Sequence, residues 1–361
     1  MRIVLVTSLE RGGPPEHALK LTEGLAASGA DVRAVAASPA LAQRFELAGA
    51  RAAVLPLGRP LDVAGARKVW RFAAGADVVH AHDRRSGLWV RLGPRPRPRG
   101  VRIYSAHGLP EPYLPPPVGP SRPGLRGFLA YRCLDAALCR RADAIVVPSE
   151  AAKREFARRI GYPPERVTVI PNGVAVPRDP LGGGALVGAL AVLEPVKGVD
   201  VFLRAAARVA ASRPELAFGV FGSGSEELAL RGLAASLGLG ERVRFDGHVR
   251  PADALSQLRV LVSSSWMETF GLSLAEAMAA GVPAVATRVG GVPELTGEDG
   301  ALLVPPGDEE ALAGAILRLV DDPELARRQV EAARRRVVER FTTEAVSKAT
   351  LRLYERLLSG R

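Results

Sequence analysis

In the stretch SSSWMETFGLSLAEAMAAGVPAVAT two carboxylates, Glu268 and Glu276, stand eight positions apart with Gly271 between them. VLVSSS (260–265) reads as a strand, the residues up to Phe270 as a loop, and GLSLAEAMAAG as a helix closed by Gly281. That order places Glu268 in the loop at a strand's carboxyl end and Glu276 about one turn into the helix. Between them, the backbone N–H groups of Phe270, Gly271 and Leu272 sit at a helix start, unpaired and partially positive. The arrangement suits a ligand with a diphosphate in its middle and hydroxyl groups at both ends. Carboxylates accept hydrogen bonds well from paired sugar hydroxyls. Spacing alone favours the plainer reading of two solvated helix charges.

Other residues could do chemistry, each with a plainer reading beside it. Lys197, in LEPVKGVD, reads by itself as a solvated lysine before a helix. His107 closes a strand in SAHG, and a lone histidine is usually structural. In HAHDRR, His80, His82 and Asp83 suggest a metal site. A strand puts His80 and His82 on one face, but no further ligands are evident, so both read as structural. The chain contains no Asp-x-Asp pair of the kind that holds a divalent ion in many transferases.

These residues need a frame to position them. A chain of 361 residues suits two cores better than one. Its 47% apolar and 24% charged residues are ordinary for a globular protein. No apolar run approaches the roughly 18 residues that span a bilayer. MRIVLVTS enters a strand pattern directly, without the basic and apolar regions of a secretory leader. The two cysteines, Cys133 and Cys139, fit a reducing cytosol better than a disulfide framework.

Charge is unevenly spread. Residues 1–178 hold 28 Lys+Arg against 14 Asp+Glu, hence +14, and residues 179–361 hold 21 against 24, hence −3. The basic half would attract phosphates or an anionic membrane surface. Nucleic acid is disfavoured, because no basic stretch is interleaved with aromatic residues.

Along the first half, apolar strand patterns (IVLVTS, DVRAVAA, ARAAVLPL, DVVHAH, VRIYSAH, AIVVPS and RVTVIPNGV) alternate with helical ones, among them EHALKLTEGLAASG and a long stretch near 124–141. Such alternation implies a parallel sheet covered on both faces. GPRPRPRG (93–100) reads as an extended basic loop, and the seven prolines of 109–127 as a rigid surface loop. Turn formers in PNGVAVPRDPLGGG (171–184) read as a linker. A second series of strands and helices follows to about residue 320, with a closing helix near 343–358. The expected organisation is α/β: two Rossmann-like βαβ domains, 1–178 and 179–342, with a ligand cleft between them at the strands' carboxyl ends.

The stretch E-TFGLSLAEAMAAGVPAVAT, with a second glutamate eight residues after the first, resembles the signature of the retaining glycosyltransferases of family 4, the group 1 enzymes. GGPPEHALKL resembles that family's first glycine loop, and SAHG its N-domain histidine. ADAIVVPSEAAKREF, VTVIPNGV, LEPVKGVDVFLRA, FGSGSEE and VRFDGHV match in the same order, so the resemblance covers nearly the whole chain. It implies a GT-B fold, a nucleotide-sugar donor such as a UDP- or GDP-sugar, no metal and no other cofactor. It also implies that residues 343–361 return to pack on the N-terminal domain.

By the same resemblance, Glu268 binds hydroxyls of the donor sugar and Glu276 the ribose. Phe270, Gly271, Leu272 and the Gly12-Gly13 loop hold the diphosphate, and Lys197 neutralises the charge on the departing nucleotide. His107 lines the sugar and acceptor side, and the turn at His248 and Val249 sits beside the nucleobase. One position departs: GALAVLEPVKG has Val192 where family members commonly carry arginine. Arg11, Arg250 and Arg288 are candidate substitutes. The expected function is transfer of a hexose to an envelope, lipid, polysaccharide or small-molecule acceptor, in the cytoplasm or at the inner face of the membrane. A weakly active or non-catalytic sugar-nucleotide-binding relative and a sugar-nucleotide epimerase are the alternatives.

Overall fold

A computed structural model of the chain describes residues 1–58, 62–108 and 125–360. It divides into two units, one formed by Met1–Gly173 with Thr343–Arg361 and the other by Val174–Thr342. Most of the proline-rich stretch 109–127 lies outside the described residues.

The first unit is built on seven strands: β1 (Arg2–Val6), β2 (Asp31–Ala36), β3 (Arg51–Val54), β4 (Val78–Ala81), β5 (Val101–Ser105), β6 (Ala144–Val147) and β7 (Val167–Val169). All pairs are parallel and the order is β3-β2-β1-β4-β5-β6-β7. Ile3 to Val6 are fully buried, which is why β1 reads as an unbroken apolar run: helices cover both faces. They are α1 (Gly13–Ala27), α2 (Pro39–Leu47), α3 (Val63–Ala73), α4 (Arg84–Leu92), α5 (Leu125–Cys139) and α6 (Glu150–Ile160). The strand order grows outward from β1 in both directions, so the carboxyl ends of β1 and β4 form a topological switch point, where ligands of α/β sheets collect.

Local chemistry sets the helix starts. Ser38, Asp62, Asp83 and Ser149 each accept a backbone N–H in the first turn of the helix that follows. The basic loop 93–100 is pinned rather than free: Arg95 pairs with Asp143 at 3.2 Å and Arg97 with Asp77 at 2.5 Å.

The second unit holds β8 (Leu186–Leu190), β9 (Phe218–Phe221), β10 (Val243–Gly247), β11 (Leu258–Ser263), β12 (Ala284–Thr287) and β13 (Leu302–Val304), in the order β10-β9-β8-β11-β12-β13. Its helices are α7 (Val199–Ser212), α8 (Glu227–Ser236), α9 (Pro251–Leu255), α10 (Leu272–Ala280), α11 (Val292–Thr296), α12 (Glu309–Asp321) and α13 (Pro323–Arg340). The apolar α10 is buried along most of its length, at Leu274, Ala275 and Ala277 to Ala280.

The boundary lies five residues earlier than the expected 178, between Gly173 and Val174. Val174 donates its N–H to Phe341 at 2.9 Å, and Leu181 donates to Ala280 at 2.7 Å. Much of the expected linker is therefore bonded into the second unit. Two helices, α2 and α13, gave no clear sequence signal. Each buries only three side chains (Leu41, Ala42 and Phe45; Gln329, Ala333 and Val337), so the apolar stripe is short or broken by charges.

The last helix, α14 (Thr343–Ser359), belongs to the first unit. It lies so close to α1 that a Cβ on Gly24 would stand 2.0 Å from the Ser347 hydroxyl. Its Tyr354 is fully buried and bonds His80 Nδ1 through the phenol oxygen at 2.7 Å.

Candidate functional site

In the second unit the loops after β8 and β11 are laced together. Ser264 Oγ donates to the Gly198 carbonyl at 2.7 Å, and Trp266 N donates to the Val196 carbonyl at 2.9 Å. Gly198 has φ +58, and a Cβ there would sit 2.3 Å from the Ser264 oxygen, so the close approach requires glycine. The lacing brings Lys197 Nζ to 2.5 Å from Glu268 Oε1, and Ser265 Oγ donates to the same oxygen at 3.0 Å. The side chains keep 26% and 12% of their exposure, so the pair is partly desolvated but reachable.

The backbone of Glu268 is held as well. Its carbonyl accepts the Gly291 N–H at 3.0 Å, and a Cβ on Gly290 would fall 1.8 Å from that carbonyl oxygen. Ser265 and the Gly290-Gly291 pair are the positioning residues that sequence reasoning missed. Their available signals were a serine run after one strand and a double glycine after another.

Glu268 leads into α10, whose N-cap is Gly271 at φ +94 with no side-chain cap. The first N–H groups of the helix are therefore unmet by any capping side chain and carry the positive end of its dipole. Phe270 is buried beneath this start, and Glu276, the fifth residue of α10, is partly buried. Lys197, Ser265, Glu268 and Ser273 line one small pocket with Ala191. A carboxylate, an ammonium and hydroxyls converge there, with Ser273 contributed by the first turn of α10, a set suited to a polyhydroxylated, phosphorylated ligand; Phe270, Gly271, Leu272 and Glu276 are not among the residues that line it.

Val192 lies in the loop between β8 and Lys197 and is 40% exposed. Of the candidate substitutes, Arg250 is engaged with Asp253 at 2.7 and 2.8 Å. The turn after β10 is held by Gly222 N donating to Gly247 O at 2.7 Å. It leaves His248 exposed, while Val249 packs on the core.

In the first unit the carboxyl ends of β1, β4 and β5 gather four histidines. His82 follows β4 and donates its backbone N–H to Val6 at 3.0 Å; His107 follows β5. His17 projects from α1 with its ring centroid 4.7 Å from that of His107 and 5.5 Å from that of His82. Burial holds His17, His80 and His82 well below the usual imidazole range and lowers His107 to about 4, with Asp83 opposing that last shift. Asp83 is itself tied to Ser8 N at 2.5 Å, to the Ser8 hydroxyl at 2.6 Å and to Ser86 N at 2.9 Å.

His80 has the structural role expected of it, bonded to Tyr354 on one nitrogen and to Ser105 on the other. His82 does not share that pairing. The sequence showed no companions for it, yet His17 and His107 lie beside it. The Gly12-Gly13 loop also differs from expectation. α1 begins at Gly13 with Pro14 and Pro15 next, and proline has no N–H, so this helix start offers fewer donors to a phosphate than its length implies.

Two family models divide the chain. The model described as Glycosyltransferase Family 4 matches residues 11–178, and that described as glycosyl transferases group 1 matches residues 180–336. An exopolysaccharide phosphotransferase of Streptomyces coelicolor is 37% identical over 228 residues, 61% of this chain and 24% of that protein. An MMP alpha-(1->4)-mannosyltransferase of Mycolicibacterium hassiacum is 30% identical over 250 residues, 66% of this chain and 60% of that protein. This chain thus spans less than two thirds of the length of either relative. Among solved structures, Anabaena HepE in complex with UDP-glucose superposes with a TM-score of 0.82 at 20% identity, over 100% of both chains. The fold shared with that structure is the two-unit α/β architecture of the GT-B type.

Proposed function

We propose a function from one premise: the chain belongs to the group 1 glycosyltransferases of family 4. It moves a hexosyl unit from a nucleotide-diphosphate sugar to an acceptor hydroxyl, with retention of configuration and without a divalent metal. The observation that carries this reading is the Glu268 carboxylate, fixed by Lys197 and Ser265 in front of the uncapped start of α10. HepE was solved with UDP-glucose, which supports a uridine or related nucleotide as the donor's base.

Each residue then has a task. Glu268 accepts hydrogen bonds from the sugar's hydroxyls, and Glu276 from those of the ribose. The amides of Phe270, Gly271 and Leu272 and the Lys197 ammonium face the diphosphate, with the Gly12-Gly13 loop as a weaker partner. The turn at His248 and Val249 meets the base, and His107 meets the sugar from the first unit. The bond from the anomeric carbon to the diphosphate oxygen breaks as the acceptor oxygen bonds to the same face. The acceptor's proton passes to the departing phosphate, and Lys197 stabilises the remaining charge. Glu268 is the one carboxylate among the described residues that line the pocket, which supports a displacement without a covalent enzyme intermediate.

Product stereochemistry measured in EDTA tests this reading. A retained product with undiminished rate is expected; an inverted product, or activity lost on chelation, refutes it. A second reading, sugar-nucleotide binding with little turnover, is supported by Val192 in place of a cation. Equal donor-hydrolysis rates in wild type and Lys197→Ala would favour it. The basic first half supports contact with an anionic membrane, and co-sedimentation with anionic vesicles that weakens with salt is the expected behaviour. Among the described residues, no helix is long and apolar enough to cross a membrane.

A further inference from the structure

Lys197 and Glu268 spend their charges on each other. The pocket they line with Ser265 and Ser273 measures about 10 Å³, scarcely room for one water. A ligand that takes hold of both groups must therefore part them, and what it offers each in return sets its affinity. We propose that this exchange distinguishes the intact sugar nucleotide from the nucleoside diphosphate left after transfer, with Glu268 as the residue that disfavours the spent nucleotide. The inference rests on the transfer reading above and adds to it a selection between substrate and product.

Three observations carry it. The first is what Glu268 loses. Once a phosphate draws the ammonium away, the carboxylate retains the Ser265 hydroxyl at 3.0 Å, and with 12% of its side chain exposed it regains little water. The hydroxyls of an attached sugar make good that loss, and a nucleoside diphosphate has no sugar to place there. The second is the contact between the two side chains. While the sugar is attached, the phosphate next to it carries one negative charge. After transfer its freed oxygen titrates near pH 6, so at neutral pH it carries most of a second. Because Lys197 Nζ lies 2.5 Å from Glu268 Oε1, a phosphate on that ammonium stands beside the carboxylate, and two anions in a poorly hydrated pocket repel. The third is the fixed backbone. The Glu268 carbonyl accepts the Gly291 N–H at 3.0 Å, and a Cβ on Gly290 would fall 1.8 Å from the same oxygen. The loop cannot retreat, which leaves side-chain rotation alone to relieve the repulsion.

An unpaired charge set against the wrong ligand is one route to specificity, and here the wrong ligand is the product. Lys197 serves both molecules, since both carry the diphosphate. Glu268 serves only the one that still carries its sugar. Release of the nucleotide then follows from the same carboxylate that holds the sugar, with no separate moving part.

The test is calorimetric titration of the full chain, without acceptor, with two matched pairs: UDP and UDP-glucose, GDP and GDP-mannose. In whichever pair binds, the wild type should hold the intact donor at least about fivefold tighter than its nucleoside diphosphate. Glu268→Gln keeps the shape and removes the charge. It should tighten the nucleoside diphosphate about tenfold and weaken the donor, inverting the preference. Glu276→Gln, facing the ribose common to both, should weaken the two alike. A Glu268→Gln protein that loses affinity for both ligands in equal measure overturns the proposal. So does a wild type that binds the nucleoside diphosphate as tightly as the donor, a comparison that stands even where the variant fails to fold. Binding of neither member of either pair by folded wild type refutes the transfer reading itself, and the proposal with it.

Discussion

Lys197 Nζ stands 2.5 Å from Glu268 Oε1, joining residues that are 71 positions apart in the chain. One ion pair thus unites two tasks that sequence reading had kept separate, sugar binding and phosphate neutralisation. Each group also sets the other's charge environment: with Lys197 absent, the partly desolvated Glu268 carboxylate loses its cation and retains the Ser265 hydroxyl as a donor.

Removing either partner should therefore cost about as much as removing both. Glu268→Gln and Lys197→Ala should each lower kcat/KM by roughly 10²–10³, the scale of a lost oxyanion donor. The double variant should lose far less than the product of the two, as for residues acting as a unit. Independent, multiplicative losses in steady-state kinetics would show that the pair does not work together.

Gly290 tests the backbone support of Glu268. An alanine there would place its Cβ 1.8 Å from the Glu268 carbonyl oxygen, at a φ of +47. Gly290→Ala should raise the donor KM at least tenfold and lower stability by about 1–3 kcal/mol. Thermal melts and donor titrations read the two effects separately.

Val192 offers a gain rather than a loss. The side chain is 40% exposed, so an arginine can be accommodated without opening the core. Val192→Arg should raise kcat tenfold or more with Tm unchanged, because it adds a cation beside a departing diphosphate. An unchanged kcat would mean that another group already supplies that charge.

Tyr354 ties the returning helix α14 to the sheet of the first unit. Tyr354→Phe removes the partner of the buried His80 Nδ1 and should cost about 1–3 kcal/mol, the penalty of one unsatisfied buried polar group. Denaturant unfolding measures it, and the midpoint should shift without a change in slope.

The buried histidines make the first unit acid-sensitive. Their folded pKa values lie below the unfolded value, with His107 at about 4. Between those limits the unfolded chain binds more protons, so stability rises with pH there. Above about pH 6.5 the four groups contribute no pH dependence. As pH falls from about 6.5 towards 4, the protein should lose stability, by roughly 3 kcal/mol for His107 alone at 1.36 kcal/mol per unit. Unfolding midpoints measured across that range check the sign and the window.

Much of this molecule was legible in its residues. Strands covered on both faces must be apolar throughout, so β1, β4 and β8 announced themselves. Gly271 and Gly281 bracketed α10, and Glu268 could be placed at a strand's carboxyl end from its neighbours alone. All of these signals are local, because helix and strand periods repeat within a few residues. α13 escaped for the same reason: with three buried side chains among 18 residues, its pattern is charge rather than an apolar stripe.

The sequence by itself thus determined the alternation of strands and helices, the family, and the loops in which Glu268 and His107 sit. Only the tertiary structure decided which distant residues meet. Lys197 reaches Glu268 because β8 and β11 are adjacent in the sheet although residues 191–257 separate them in the chain. His17, His82 and His107 converge because the order β1-β4-β5 sets three strand ends side by side. Strand order arises from the packing of the whole sheet, and no periodicity within one segment encodes it.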